Sequence, residues 1–146
     1  MTIISNSRLL SYKAEEIFNV VADIKQYPNI LTYIDTITIN KQEKNFIEAT
    51  VNLSFGLWSI EYDCEIELYF HNKITTVATR GPFKRLNAEW TFEQYNDTTL
   101  VKYKLDFQLR SPLLHLMASN FLARSLKSTI KSFEHYLRSK LSKLKD

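Results

Sequence analysis

The chain has 146 residues, 45% of them hydrophobic, 13% aromatic and 24% charged, with a formal net charge of +3 and only two glycines and three prolines. This length fits one domain, expected to span residues 1–146, with enough apolar side chains to bury a real core. The composition excludes a low-complexity or disordered chain, the lone Cys64 excludes an internal disulfide or a Cys-rich metal site, and no apolar run reaches the roughly 18 residues that cross a bilayer.

Residues 2–10 read as a strand. Their flanks lack the charged start and small-residue cleavage site of a signal peptide, so a cytoplasmic setting is expected. Ser11 is the expected cap of an amphipathic helix over 12–23. Glu15 and Glu16 sit in its first turn, and Ala14, Ile17, Phe18 and Val21 follow at helical spacing. Pro28 disfavours helical geometry at Tyr27, so Tyr27-Pro28 is expected to end that helix.

Period-two alternation then dominates. Ile47, Ala49, Val51, Leu53 and Phe55 point one way in the first run, and Ile60, Tyr62, Cys64, Ile66, Leu68 and Phe70 in the second. Residues 73–80 form a weaker strand. Leu86, Ala88, Trp90 and Phe92, then Val101, Tyr103, Leu105, Phe107 and Leu109, repeat the scheme. This is the pattern of an antiparallel sheet with one buried and one wet face. Gly81-Pro82 reads as a turn between two of these strands, because glycine takes a positive φ at little cost and proline presets the next φ. Phe83 is expected to tuck beneath the sheet near Trp90.

Ser111-Pro112 opens a long helix, with Ser as cap and Pro at the first helical position. Its stripe runs through Leu113, Met117, Phe121, Leu122, Leu126, Ile130, Phe133, Leu137 and Leu141. A one-sided sheet and an amphipathic helix must bury their apolar faces together. The expected fold class is therefore α+β, a curved antiparallel sheet wrapped around a long C-terminal helix.

Charge is uneven. Residues 110–146 carry eight Lys and Arg against Glu134 and Asp146, a net +6, which leaves −3 on the rest. Arg124, Lys127, Lys131 and Arg138 thus form a candidate contact with an anionic membrane surface or RNA, or a solvated helix face. The segment carries no recognised RNA-binding signature, and no DNA partner is expected.

Gly81-Pro82-Phe83-Lys84-Arg85-Leu86 followed by Trp90-Thr91-Phe92 resembles the signature of the coenzyme Q-binding START-domain family, within the helix-grip superfamily. Val20-Val21-Ala22-Asp23 with Tyr27-Pro28 resembles its helix-end motif, and the strand from Val101 into Ser111-Pro112 its last strand and helix start. Ile30, Leu31 and Thr32 depart from the Phe-Leu-Pro run usual after Tyr-Pro, and Tyr136-Leu137 from an Arg-Ala pair. The resemblance implies non-catalytic binding of ubiquinone or a related prenylquinone, in support of respiratory electron transport. For the family's bacterial ribosome-association toxins it implies binding to the large ribosomal subunit.

Alternation alone does not separate a filled core from a hollow one and favours the filled core, whereas the resemblance implies a tunnel. The candidate ligand-binding set is Val51, Leu53, Phe55, Tyr62, Ile66, Phe83, Trp90, Phe92, Tyr103, Leu105 and Phe107 from the strands, with Met117 and Phe121 from the helix. Tyr62 and Tyr103 bring hydroxyls that suit a quinone carbonyl. The apolar loop Ile30–Tyr33 and the basic helix are the expected contacts with the inner membrane surface. No catalytic cofactor or metal site is expected: His71, His115 and His135 lack partners at ligand spacing, and most acids lie on the outward strand faces.

Overall fold

The alternating strands pair in sequence order into one curled sheet, and the computed structural model describes residues 2–145, with side chains to residue 141. Lys143, Lys145 and Asp146 of the basic segment therefore lie outside the described side chains. Strands β1 (Thr2–Leu10), β2 (Ile34–Gln42), β3 (Phe46–Phe55), β4 (Trp58–Tyr69), β5 (Lys73–Arg80), β6 (Phe83–Tyr95) and β7 (Thr98–Leu109) take the order β1-β7-β6-β5-β4-β3-β2, every neighbour antiparallel. The inward residues of β3 and β4 are those the alternation assigns, with Ile47, Ala49, Val51, Leu53, Phe55, Tyr62, Cys64 and Ile66 all buried.

Several readings need correction. The first helix, α1, spans Ala14–Ala22 and starts after Lys13, where Glu16 Oε1 accepts from the Lys13 amide at 3.1 Å; Ser11 does not cap it. Tyr27 is helical rather than extended, because Pro28 lies in the first turn of a new short helix, α2 (Tyr27–Ile30), where a missing N–H costs nothing. β2 has no counterpart among the strands read from the sequence. Phe70 is 44% exposed, because the chain leaves the sheet at Tyr69 and parity no longer applies.

The long C-terminal helix comes in two parts, α3 (Pro112–Ser125) and α4 (Thr129–Lys145), joined by a 3-10 turn at Leu126–Ser128. Ser111 caps α3 as its residue type demands, its hydroxyl accepting from the Leu114 amide at 3.2 Å. The stripe is correct from Leu122 to Leu137. Leu113, however, is 65% exposed, since the first turn of α3 overhangs the sheet.

Gly81 answers a steric demand as well as a turn. Its φ is +132°, and a Cβ there would come within 2.7 Å of Tyr62 Cβ and 2.9 Å of the Glu61 carbonyl oxygen. No side chain fits, so the turn lies tight against β4. Phe83, the next inward residue, sets its ring edge-on against Tyr62, centroids 5.1 Å apart, rather than against Trp90.

Candidate functional site

Sheet curvature leaves a cavity of about 100 Å³ between the concave face and the C-terminal helix. Val51, Leu53, Tyr62, Ile66, Phe83, Trp90, Tyr103 and Leu105 of the predicted set line it. Phe55, Phe92, Phe107, Met117 and Phe121 do not. Phe55 packs against Phe121 at 6.0 Å, and Phe121 against Tyr33 at 6.4 Å, forming an aromatic closure beyond Leu53. Phe92 is taken up by Trp90 and Phe18, and Phe107 packs beneath α3 against His115.

Part of the remaining wall escapes the alternation argument. Ile24, Tyr27, Leu31, Tyr33, Ile34 and Ile37 come from the segment between α1 and β3. Cys64, Ile74, Thr76, Leu86 and Ala88 complete the sheet side, and Leu122, Leu126, Thr129 and Phe133 the helix side. Several of these carry the inward parity or the helical stripe already noted. That they border a void is not encoded in any period.

Polar groups on the wall are few and differ in their partners. Tyr27 donates to the Val21 carbonyl, and Tyr33 shares a buried hydrogen bond of 3.1 Å with Thr129 Oγ1. Tyr62 and Tyr103 have no hydrogen-bond partner among the described residues. Burial raises all four phenols, taking Tyr33 to about 12; repulsion from neighbouring phenols adds to the effect at Tyr27 and Tyr103, and repulsion from Cys64 and then from Tyr33 and Tyr27 adds to it at Tyr62. Burial also pushes the Cys64 thiol up to about 12, which removes its nucleophilic form at neutral pH. The wall therefore presents neutral hydroxyl donors in an apolar setting. Such an arrangement binds and orients an uncharged acceptor.

The basic residues lie on the outer side of the helices. Arg124, Lys127 and Lys131 are exposed, and Arg138 approaches Glu134 at 3.8 Å while Glu134 also holds Arg8 at 3.0 Å. The loop Ile30–Tyr33 is not available for membrane insertion, because Leu31 and Tyr33 are buried and line the cavity. No helix among the described residues is long and apolar enough to cross a membrane.

A curled seven-stranded sheet gripping a C-terminal helix over an apolar cavity defines the helix-grip, START-like class. Residues 10–134 match the model of the "Polyketide cyclase / dehydrase and lipid transport" family, and the chain belongs to that family. Over 131 residues it is 32% identical to the mitochondrial coenzyme Q-binding protein COQ10 of Dictyostelium discoideum, covering 86% of this chain and 63% of that one. It therefore spans less than two thirds of that relative's length. It is 24% identical to the ribosome association toxin RatA of Rickettsia prowazekii, covering 92% of this chain and 94% of that one. Among solved structures, the Zhui aromatase/cyclase of Streptomyces sp. R1128 superposes with a TM-score of 0.86 at 11% identity, covering 96% and 95% of the two chains. That likeness is one of fold alone.

Proposed function

We propose that the chain binds ubiquinone or a related prenylquinone in this cavity without transforming it, the ring carbonyls accepting from Tyr62 and Tyr103. The observation that carries the reading is a pair of neutral phenols, unmatched within the protein, on an otherwise apolar wall. Both side chains border the cavity, and neither hydroxyl is among the sealed, unpartnered polar atoms of the described residues, so each is free to donate to an incoming acceptor, which a quinone oxygen supplies. The similarity to a coenzyme Q-binding protein supports the same ligand class. The reading is one of binding, with no catalytic cofactor, and a peripheral membrane surface is the source of the ligand, since each prenyl CH₂ gains about 0.8 kcal/mol on leaving water.

The cavity of about 100 Å³ is smaller than the roughly 150 Å³ apolar void that holds one benzene. Quinone entry therefore displaces wall side chains, and the Phe55–Phe121 closure is the part built from separable elements. The test is solvent extraction of natively purified protein with mass spectrometry, followed by quinone uptake from detergent micelles. Wild type is expected to take up quinone stoichiometrically, and Tyr62→Phe with Tyr103→Phe to weaken uptake by about tenfold, the worth of one or two hydrogen bonds. Protein that is empty as purified and stays empty in micelles sinks the reading.

A second reading, association with the large ribosomal subunit, is favoured by one specific pairing of facts. The chain matches a ribosome association toxin over 94% of that protein's length, and Arg124, Lys127 and Lys131 have no ion pair among the described residues. It predicts co-sedimentation with the large subunit that falls steeply with salt. Unchanged polysome profiles on induction remove its support.

A further inference from the structure

Beyond the cavity, the least expected feature is where the exposed apolar side chains lie. In the registers of the sheet, β1 begins, β3 ends, β4 begins, β5 ends, β6 begins and β7 ends at one end of the curled sheet. At that rim the two-residue turn Gly56-Leu57, with Gly56 at φ +60°, lifts Leu57 clear of the protein at 104% exposure, and Trp58 beside it is 45% exposed. Leu113 and Leu116, on the overhanging start of α3, are 65% and 60% exposed. Four large apolar side chains thus project together at this pole; Leu9, Tyr69, Phe70 and Tyr95 are exposed at the opposite pole, but there the tyrosine hydroxyls donate to the carboxylates of Glu67 and Glu93, so that end is set among acids.

Both signs of charge occur at this rim. Arg80 bridges the two carboxylates Glu61 and Asp63, Arg85 holds Asp106, and Asp35 accepts from Ser54 with no cation partner among the described residues. Lys84 and Arg110 are exposed and have no ion pair among the described residues. The Arg110 amide donates to the Pro82 carbonyl at 2.9 Å, so the start of α3 and the β5–β6 turn are tied together. The aromatic closure of Phe55, Phe121 and Tyr33 stands directly inside this rim, between the projecting leucines and Leu53 on the cavity wall.

We propose that this rim docks on an anionic bilayer, with Leu57, Trp58, Leu113 and Leu116 seated among the acyl chains near the headgroups and Lys84 and Arg110 on the lipid phosphates. Apolar side chains flanked by unmatched cations suit an interface that is apolar inside and negatively charged outside. A protein partner would not require that combination, and RNA would leave the leucines in water. The proposal rests on the quinone reading only for its purpose: docking here sets the closed end of the cavity against the membrane. It assigns the contact to the rim and away from the basic face of α4.

The experiment is sedimentation of the full chain with vesicles of phosphatidylcholine alone or mixed with phosphatidylglycerol, alongside quinone uptake from micelles. Wild type is expected to bind the mixed vesicles, with Trp58 fluorescence shifting to the blue, a shift absent in Trp58→Phe. Leu57→Asp with Leu116→Asp, both at exposed positions where the fold tolerates change, should weaken vesicle binding by at least about tenfold and leave micelle uptake intact. Lys131→Glu with Lys140→Glu should leave vesicle binding within about twofold. Binding that survives the leucine variant but is lost in the lysine variant overturns the assignment in favour of the α4 face. Absence of any vesicle binding by a protein that still takes up quinone from micelles overturns docking and leaves the quinone reading standing. Failure in micelles with vesicle binding preserved does the reverse.

Discussion

α3 and α4 continue one apolar stripe, yet they are held by different means. α4 buries Ile130, Phe133 and Leu137, and the Phe133 ring meets both Trp90 and Tyr27 edge-on at 5.2 Å. α3 buries only Ala118 and Leu122, turns Leu113 and Leu116 outward, and leaves the buried hydroxyl of Ser119 without a partner. What ties α3 down is polar: the Ser111 cap, and His115, whose Nδ1 accepts from the Leu109 amide at 3.2 Å while Nε2 meets Thr2 Oγ1 at 2.9 Å. Between them the 3-10 turn at Leu126–Ser128 is the natural place for a helix to bend. The contrast teaches that one half of the helix is core and the other is a latch. A continuous sequence pattern does not distinguish the two.

The difference can be broken or sharpened by mutation. Phe133→Ala should cost about 3–5 kcal/mol in urea unfolding, the range for a fully buried aromatic, whereas Phe121→Ala, half-buried, should cost about half of that. Equal losses would mean that α3 is as much core as α4. Thr129→Val removes the partner of the buried Tyr33 hydroxyl at the bend and should destabilise by about 1–3 kcal/mol, with faster amide exchange in α3 than in α4. Ser111→Ala should cost about 1 kcal/mol and loosen α3 alone, again read by amide exchange.

The pH response of the latch has a definite sign. Burial lowers the His115 pKa, and the neutral ring is the form that accepts from the Leu109 amide. Its contribution is therefore complete above the unfolded value of about 6.5 and is lost as pH falls through the lower folded value. Wild type minus His115→Gln should show this decline in unfolding stability, and a flat difference would remove His115 from the latch. The smallest effect is expected at Leu113→Ser, within about 0.5 kcal/mol, because the side chain is already in water.

Much of this was legible in the residues. The inward sets of β3, β4, β6 and β7 follow from period two, and Gly81, Ser111 and Pro112 declare their turn and cap by chemistry alone. β2 was not legible because its register shifts between Ile34 and Thr36 and again between Ile39 and Lys41, so Ile34 falls out of step with Ile37 and Ile39 and the alternating run is short. Pro28 misled because the same ring that stops a helix also suits its first turn. In the candidate site, parity identified Val51, Leu53, Tyr62, Ile66, Trp90, Tyr103 and Leu105 as inward, but it assigned Phe55, Phe92 and Phe107 equally. Whether an inward ring meets space or another ring depends on sheet curvature and on the helix opposite, and neither leaves a local mark.

The small size of the cavity bears on kinetics. On the proposed quinone reading, the roughly 100 Å³ free in the closed protein cannot hold a ring and its tail, so loading requires the wall and the α3 latch to open. The observed loading rate should then rise with ligand concentration only to a plateau, set by how often α3 lifts from Phe55 and Tyr33. That plateau should be common to ligands of different tail length and should rise in any variant that weakens the latch. Stability of the latch and speed of exchange would then be two readings of a single equilibrium.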